Sequence, residues 1–263
     1  MKEQTGCEKV DRMLDVGGYR LHFSVDPGGQ PAILLEAGGG ADASFWDDLV
    51  PAVSRETGST VVTYDRAGYG ESDLPDAPFD IRAEVGGLWK GLEELGLARS
   101  LVVLGHSLSG LHIVLLAQEH PEAVRGLVFM DPMTLEFIDY LGGAQGLTSH
   151  PLSQHPFDAS QPEGLTRAQR AGLRTEAGMG GVVEAMRGIS IPRHIPVRVI
   201  TAGVQWWPKP EECRAWREAH AHLADSVDDG RLIVAEHSAH FVSETEPELV
   251  IAALKELVAR ARG

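Results

Sequence analysis

Leu101-Val102-Val103-Leu104-Gly105-His106-Ser107-Leu108-Ser109-Gly110-Leu111-His112-Ile113-Val114 carries an apolar run straight into a helical pattern, with a serine at the junction. A short continuous apolar run bounded in this way reads as a strand buried on both faces, as in sheets covered by helices. A serine on so sharp a strand-to-helix turn is forced into a strained backbone conformation that projects its hydroxyl out of the sheet. The residues two before and two after it must be small, because the backbone passes close to both. Gly105 and Ser109 meet that requirement. An incidental serine in a glycine-rich turn would need neither the strand before it nor the helix after it.

Working outward, short β-type runs alternate with longer helical patterns, the signature of an α/β sheet. Residues 12–16 and 19–25 flank Gly17-Gly18 and read as a hairpin. Further strands are expected at 32–36, 60–64, 100–104, 126–130, 197–201 and 231–235. Helices are expected at about 44–55, 81–97, 107–120, 211–224 and 247–261. The last shows the i, i+3, i+4, i+7 spacing in Val250, Ala253, Leu254 and Leu257. The expected fold class is therefore α/β, with about eight mostly parallel strands flanked by helices.

Between Asp131 and Pro196 the alternation stops. Gly142-Gly143, Pro151, Pro156 and Pro162 are followed by a helical pattern from about Leu165 to Arg187. This stretch reads as a helical lid (cap) insertion over residues 132–195, with 1–131 and 196–263 forming the core domain. Long connections in compact domains are more often functional than idle. There is no internal repeat and no low-complexity segment.

The composition bounds the function classes. Over 263 residues, 43% are apolar and 23% charged, ordinary values for a packed globular protein. The formal charge of −15 argues against nucleic acid or an anionic membrane surface as partner, since both require basic patches. The opening Met1 to Val10 segment is polar, with no apolar run of the signal-peptide kind, and no stretch reaches the length of a membrane helix. With only Cys7 and Cys213 no disulfide framework is implied, so a cytoplasmic location is expected.

The Gly105-His-Ser-Leu-Ser-Gly110 segment resembles the G-x-S-x-G nucleophile elbow of the α/β-hydrolase superfamily, in its serine-nucleophile, esterase- or lactonase-like branch. Ser109 stands where glycine is usual. Leu34-Leu-Glu-Ala-Gly38-Gly39-Gly40 is similar to the family's oxyanion loop, although Glu36-Ala37 departs from the usual histidine-glycine approach. Asp65-Arg-Ala-Gly68-Tyr-Gly70-Glu-Ser72 resembles the loop after the fourth strand, and Ala239-His240-Phe241 the histidine loop. The resemblance covers nearly all of the chain outside the lid.

It implies a set of roles. Ser107 would be the nucleophile, which needs a base to take its proton during attack. His240 would be that base, with His237 a loop residue and His106 a packing residue. Most of the superfamily places an acid after the seventh strand, but Gly203-Val-Gln-Trp206-Trp207-Pro208 holds no carboxylate before Glu211 and Glu212. Some branches take the acid from the position of Asp131, which makes Asp131 the first candidate and Glu211 or Glu212 the second. The resemblance also implies an oxyanion hole from the backbone N–H groups of Gly39 and Leu108. Trp206, Trp207 and the lid are expected to line the pocket. His220 and His222 match no zinc spacing with Cys213 and are expected on a solvent-facing helix.

The expected activity is hydrolysis of an ester, lactone or thioester of a small organic molecule through a Ser107 acyl-enzyme. No metal, nucleotide or flavin cofactor is implied. Two alternatives stay open: amide cleavage or a cyanohydrin-type lyase step with the same residues, and a small-molecule receptor with residual turnover. Dehalogenases and epoxide hydrolases of this fold use an aspartate at the elbow, so Ser107 speaks against those chemistries. Substrate identity and oligomeric state have no motif to report them.

Overall fold

The Gly17-Gly18 turn closes the expected hairpin, with β1 (Val10–Asp15) antiparallel to β2 (Arg20–Asp26) and Asp15 opposite Arg20. The structure is a computed structural model that describes residues 9–153 and 164–263. Cys7, Pro156 and Pro162 lie outside the described residues. The remaining strands are β3 (Gly29–Glu36), β4 (Ser59–Tyr64), β5 (Leu101–His106), β6 (Val124–Met130), β7 (Val197–Ala202) and β8 (Gly230–Ala235). They form one eight-stranded sheet in the order β1-β2-β4-β3-β5-β6-β7-β8. β2 pairs antiparallel with both of its neighbours, and the strands from β4 through β8 in that order are mutually parallel. This is the α/β-hydrolase fold.

Period-two alternation explains why the inner strands are apolar throughout. Leu34, Leu101 and Val103 face one layer, built on α2 (Ile81–Glu94) and α3 (Ser109–Glu119). Ile33, Leu35, Val102 and Leu104 face the other, built on α1 (Val50–Thr57) and α9 (Pro247–Arg262). The α9 stripe buries Val250, Leu254 and Leu257 completely. Each such side chain contributes roughly 1.5–3 kcal/mol.

Two expected helices are altered for local reasons. The segment 44–55 splits into a 3-10 turn at Ala43–Trp46 and α1, with Pro51 in the first turn of α1, where its missing N–H leaves nothing unpaired. The helix after β5 starts at Ser109, because Ser107 sits at φ 54°, outside helical geometry.

The excursion between β6 and β7 holds α4 (Leu135–Tyr140), α5 (Gly143–Thr148) and α6 (Arg167–Met186). Only α6 was expected. Its Thr166 and Gln169 form a reciprocal capping box. Arg174 ties α6 to the core through Glu84 at 2.8 Å and the Ala77 carbonyl at 2.7 Å. After α7 (Pro210–Asp225) and β8, a one-turn α8 (Val242–Thr245) leads into α9. Among the described residues no helix is long and apolar enough to cross a membrane.

Candidate active site

The sheet register brings the site together. Glu36 pairs with Gly105, and His106 with Met130, so the loops leaving β3, β5 and β6 emerge side by side. The helices that follow β3 and β5, α1 and α3, lie on opposite faces of the sheet, and such a switch point between neighbouring strands opens a crevice at their carboxyl ends.

Ser107 follows β5 directly at φ 54°. Its N–H donates to the Met130 carbonyl at 3.2 Å, while its carbonyl accepts from Gly110 at 2.9 Å and Met133 at 2.8 Å. These bonds hold a backbone conformation that is uncommon for a residue with a side chain. The small flanks have a visible cause. A Cβ on Gly105 would lie 3.0 Å from both Ile113 Cδ1 and Ser109 Oγ. Ser109 is accommodated in place of glycine because its hydroxyl donates to the carbonyls of His106 at 2.8 Å and Glu36 at 3.0 Å.

Asp131 follows β6 in the same manner, at φ 44°. Its N–H donates to the Ile200 carbonyl at 2.7 Å, and its carboxylate is fully buried. Oδ1 accepts from the Ala202 N–H at 3.0 Å and the Trp216 Nε1–H at 2.8 Å. Oδ2 accepts from the Trp206 Nε1–H at 2.9 Å and meets His240 Nδ1 at 2.7 Å. Burial alone would raise the Asp131 carboxyl, but the bond with His240, its charge interactions with His220 and His240, and the Ala202 N–H hold it below the ordinary range. An ionised Asp131 requires His240 Nδ1 to carry a proton, which leaves Nε2 as the free lone pair.

The other candidate acids do not meet His240. Glu211 is exposed, and Glu212 is engaged with Lys209 Nζ at 2.8 Å and lies 3.4 Å from His150. His237 is exposed, and its backbone N–H donates to Glu246 at 2.9 Å. On the sequence-based assignment of His240 as base to Ser107, His240→Ala is expected to lower kcat by at least about 10³-fold, because a base and its nucleophile act as a unit. His237→Ala should leave rates nearly unchanged. Steady-state kinetics on both variants checks this, and a sensitive His237 would displace the base by three residues.

Two histidines depart from expectation. His220 is not solvent-facing: it is completely buried behind Asp131, with Nδ1 3.8 Å from Oδ1. Its Nε2–H donates to the Pro132 carbonyl at 2.8 Å, and Nδ1 accepts from the Thr201 hydroxyl at 2.8 Å. The side of α7 that carries Cys213, Trp216 and His220 faces inward, while His222 stays exposed against Glu136. His106 does pack, stacked on Phe45 at 5.1 Å, but it also donates from Nε2 to the His240 carbonyl at 3.1 Å. Burial pushes its imidazole down to about 3, so it stays neutral and supports the histidine loop as a donor.

The Gly38–Gly40 loop passes close to His106 and Ser107. A Cβ on Gly38 would lie 2.7 Å from His106 Nδ1 and 3.2 Å from Ser107 Cβ, so only glycine fits. The Gly38 carbonyl accepts from the Arg66 guanidinium. In a trans peptide the adjoining Gly39 N–H points the opposite way. Gly39, Leu108, Ser107 and His240 all line one cavity of about 750 Å³. Trp206 and Trp207 line it too, with Leu147 of α5 and a face of α6 from Ala168 to Met179.

Beneath this loop Glu36 is completely buried, accepting from the Tyr64 hydroxyl at 3.0 Å and lying 3.5 Å from His112 Nδ1. Burial raises its carboxyl to about 7 against the opposing pull of Arg66 and Tyr64. A carboxyl that binds its proton more tightly when folded loses stability as pH rises from about 4.5 to about 7. At about 1.4 kcal/mol per pH unit the loss is on the order of 3 kcal/mol. Urea unfolding at pH 5 and pH 8 should show this loss, and Glu36→Gln should abolish it.

Comparisons with known proteins agree with the architecture. The family description "alpha/beta hydrolase fold" matches residues 31–149. Over 251 residues the chain is 26% identical to a Stutzerimonas stutzeri (strain A1501) protein named provisionally as the carbamate hydrolase RutD, spanning 87% of this chain and 92% of that one. Other curated relatives match over shorter stretches, down to 18% of the relative's own length. An epoxide hydrolase from Vigna radiata superposes with a TM-score of 0.75 at 17% identity, over 96% of this chain and 98% of that one. The 2-hydroxy-6-oxo-6-phenylhexa-2,4-dienoate hydrolase of Rhodococcus sp. strain RHA1 gives a TM-score of 0.67 at 18% identity, over 96% and 99%. At these identities the structural likeness carries the fold and not the reaction.

Proposed function

We propose that this chain, which has the α/β-hydrolase fold and matches that family's description over residues 31–149, is a serine hydrolase acting on an ester, lactone or thioester of a small organic molecule. The observation that carries this reading is the meeting of His240 Nδ1 with Asp131 Oδ2 at 2.7 Å, beside a cavity shared by Ser107 and His240. In the proposed reaction His240 Nε2 takes the Ser107 hydroxyl proton as Oγ attacks the carbonyl carbon. The N–H groups of Gly39 and Leu108 receive the oxyanion. His240 then gives its proton to the leaving oxygen or sulfur, and the acyl group remains on Ser107. A water deprotonated by His240 releases the acid and restores the serine.

In this reading residues 132–195 act as a lid, since Leu147 and the α6 face from Ala168 to Met179 wall the cavity above the elbow. The wall is largely apolar, through Leu108, Met133, Trp206 and Phe241 among others, with Arg66 and Glu176 as its charged members, which suits a mainly apolar acyl group. A carbamate is a second reading, favoured by similarity along most of the chain to a protein named for that activity. The same serine attack would serve it. Product analysis on a matched panel of esters, lactones, thioesters, amides and carbamates tests the reading. Turnover of the first three classes supports it, preference for carbamates moves it to the second, and turnover of none overturns both.

A further inference from the structure

We infer that Trp206 is a positioning residue for the acid–base pair, and that its indole N–H sets the charge Asp131 presents to His240. This rests on the serine-hydrolase reading above. A carboxylate offers about four lone-pair sites, and at Asp131 each oxygen meets two nitrogens. Oδ1 is held by Ala202 and Trp216, and Oδ2 is divided between Trp206 at 2.9 Å and His240 at 2.7 Å. Trp206 therefore acts on the same oxygen that the base uses. Its ring also lies 4.1 Å from the His240 ring at 33°, so one side chain fixes both the carboxylate oxygen and the imidazole face.

The arrangement answers a gap in the chain. The loop after β7 carries no carboxylate, and in its place it delivers an indole N–H to an acid that comes from β6. A donor on Oδ2 draws negative charge away from the imidazole. Without it, Oδ2 would stabilise the protonated imidazole more strongly, and the base would keep its proton to higher pH.

Trp207 supplies a matched control. It lines the same cavity, lies 4.6 Å from the Trp206 ring at 34°, and among the described residues its Nε1 has no hydrogen-bond partner. The other titratable groups facing the pair are His220 on α7 and His106 at the end of β5, with Arg66 acting on His106. Burial holds both histidines below the ordinary imidazole range, which favours their neutral forms. Glu36, near 7, is removed from the comparison by making every variant in a Glu36→Gln background as well.

The test is the second-order rate of fluorophosphonate labelling at Ser107 as a function of pH, which needs no identified substrate. Trp206→Phe is expected to move the midpoint of the acidic limb up by about half a pH unit and to lower the plateau about 5- to 10-fold. Trp207→Phe is expected to leave the midpoint in place whatever it does to the plateau. An unmoved midpoint in Trp206→Phe, or an equal movement in Trp207→Phe, overturns the inference. Absence of labelling in the parent protein instead overturns the hydrolase reading.

A measurement on the parent protein stands apart from activity and from any failure of a variant to fold. Of the five tryptophan indole ¹H–¹⁵N signals, those of Trp206 and Trp216 should move together on titration of the Asp131–His240 pair. Trp89, stacked 3.5 Å from His120, would instead follow the titration of that residue, which burial holds below the ordinary imidazole range. If no two indole signals share a midpoint, Trp206 is only a wall.

Discussion

Ser107→Ala is expected to abolish covalent labelling by a fluorophosphonate and to remove nearly all turnover, while the protein unfolds at an unchanged temperature. The hydroxyl stands at a strand–helix junction where the backbone is held at φ 54° by three hydrogen bonds that involve only main-chain atoms. Alanine keeps all three, so the loss would be chemical and not structural. The effect should be about 10⁶-fold in kcat, the scale seen when a serine nucleophile is deleted elsewhere. Combining it with His240→Ala should cost little more, since the base has no work without the hydroxyl. Near-normal turnover by folded Ser107→Ala would end the assignment.

Asp131→Asn is expected to lower kcat by up to about 10⁴-fold, through a reversed His240 tautomer in which Nδ1 becomes an acceptor. The surroundings add a second effect. Four nitrogens converge on this carboxylate, from Ala202, Trp216, Trp206 and His240, and an amide NH₂ would face at least one donor. That mismatch should cost about 1–3 kcal/mol of stability, so the variant melts earlier while remaining folded. Glu211→Gln and Glu212→Gln should leave kcat nearly unchanged, because neither carboxylate reaches His240. Kinetics and thermal melts on the three variants separate these outcomes. A silent Asp131→Asn in a folded protein would remove Asp131 from the mechanism.

Much of the fold was legible because its signals are local. The apolar runs of β5 and β6 report burial on both faces. The stripe of Val250, Leu254 and Leu257 reports which side of α9 faces the sheet. The turn at Ser107 was legible because its steric demand falls on residues two positions away, Gly105 and Ser109. Less could be read where the cause lies across the molecule. The helices α4 and α5 are only six residues each, too short for periodicity to declare them. His220 looked like a surface residue because its burial depends on α7 turning the side that bears Cys213 and Trp216 toward the end of β6.

The amino-acid sequence by itself determined the sheet, the strand–helix turn at Ser107 and the candidacy of His240, since each follows from residues close together along the chain. Tertiary structure decided where the acid's four nitrogen partners come from. Asp131 is 71 residues from Ala202, 75 from Trp206, 85 from Trp216 and 109 from His240. No periodicity or short motif records a convergence over such separations. Only the parallel register of β5, β6 and β7, which sets His106 beside Met130 and Met130 beside Ile200, brings those groups to one carboxylate.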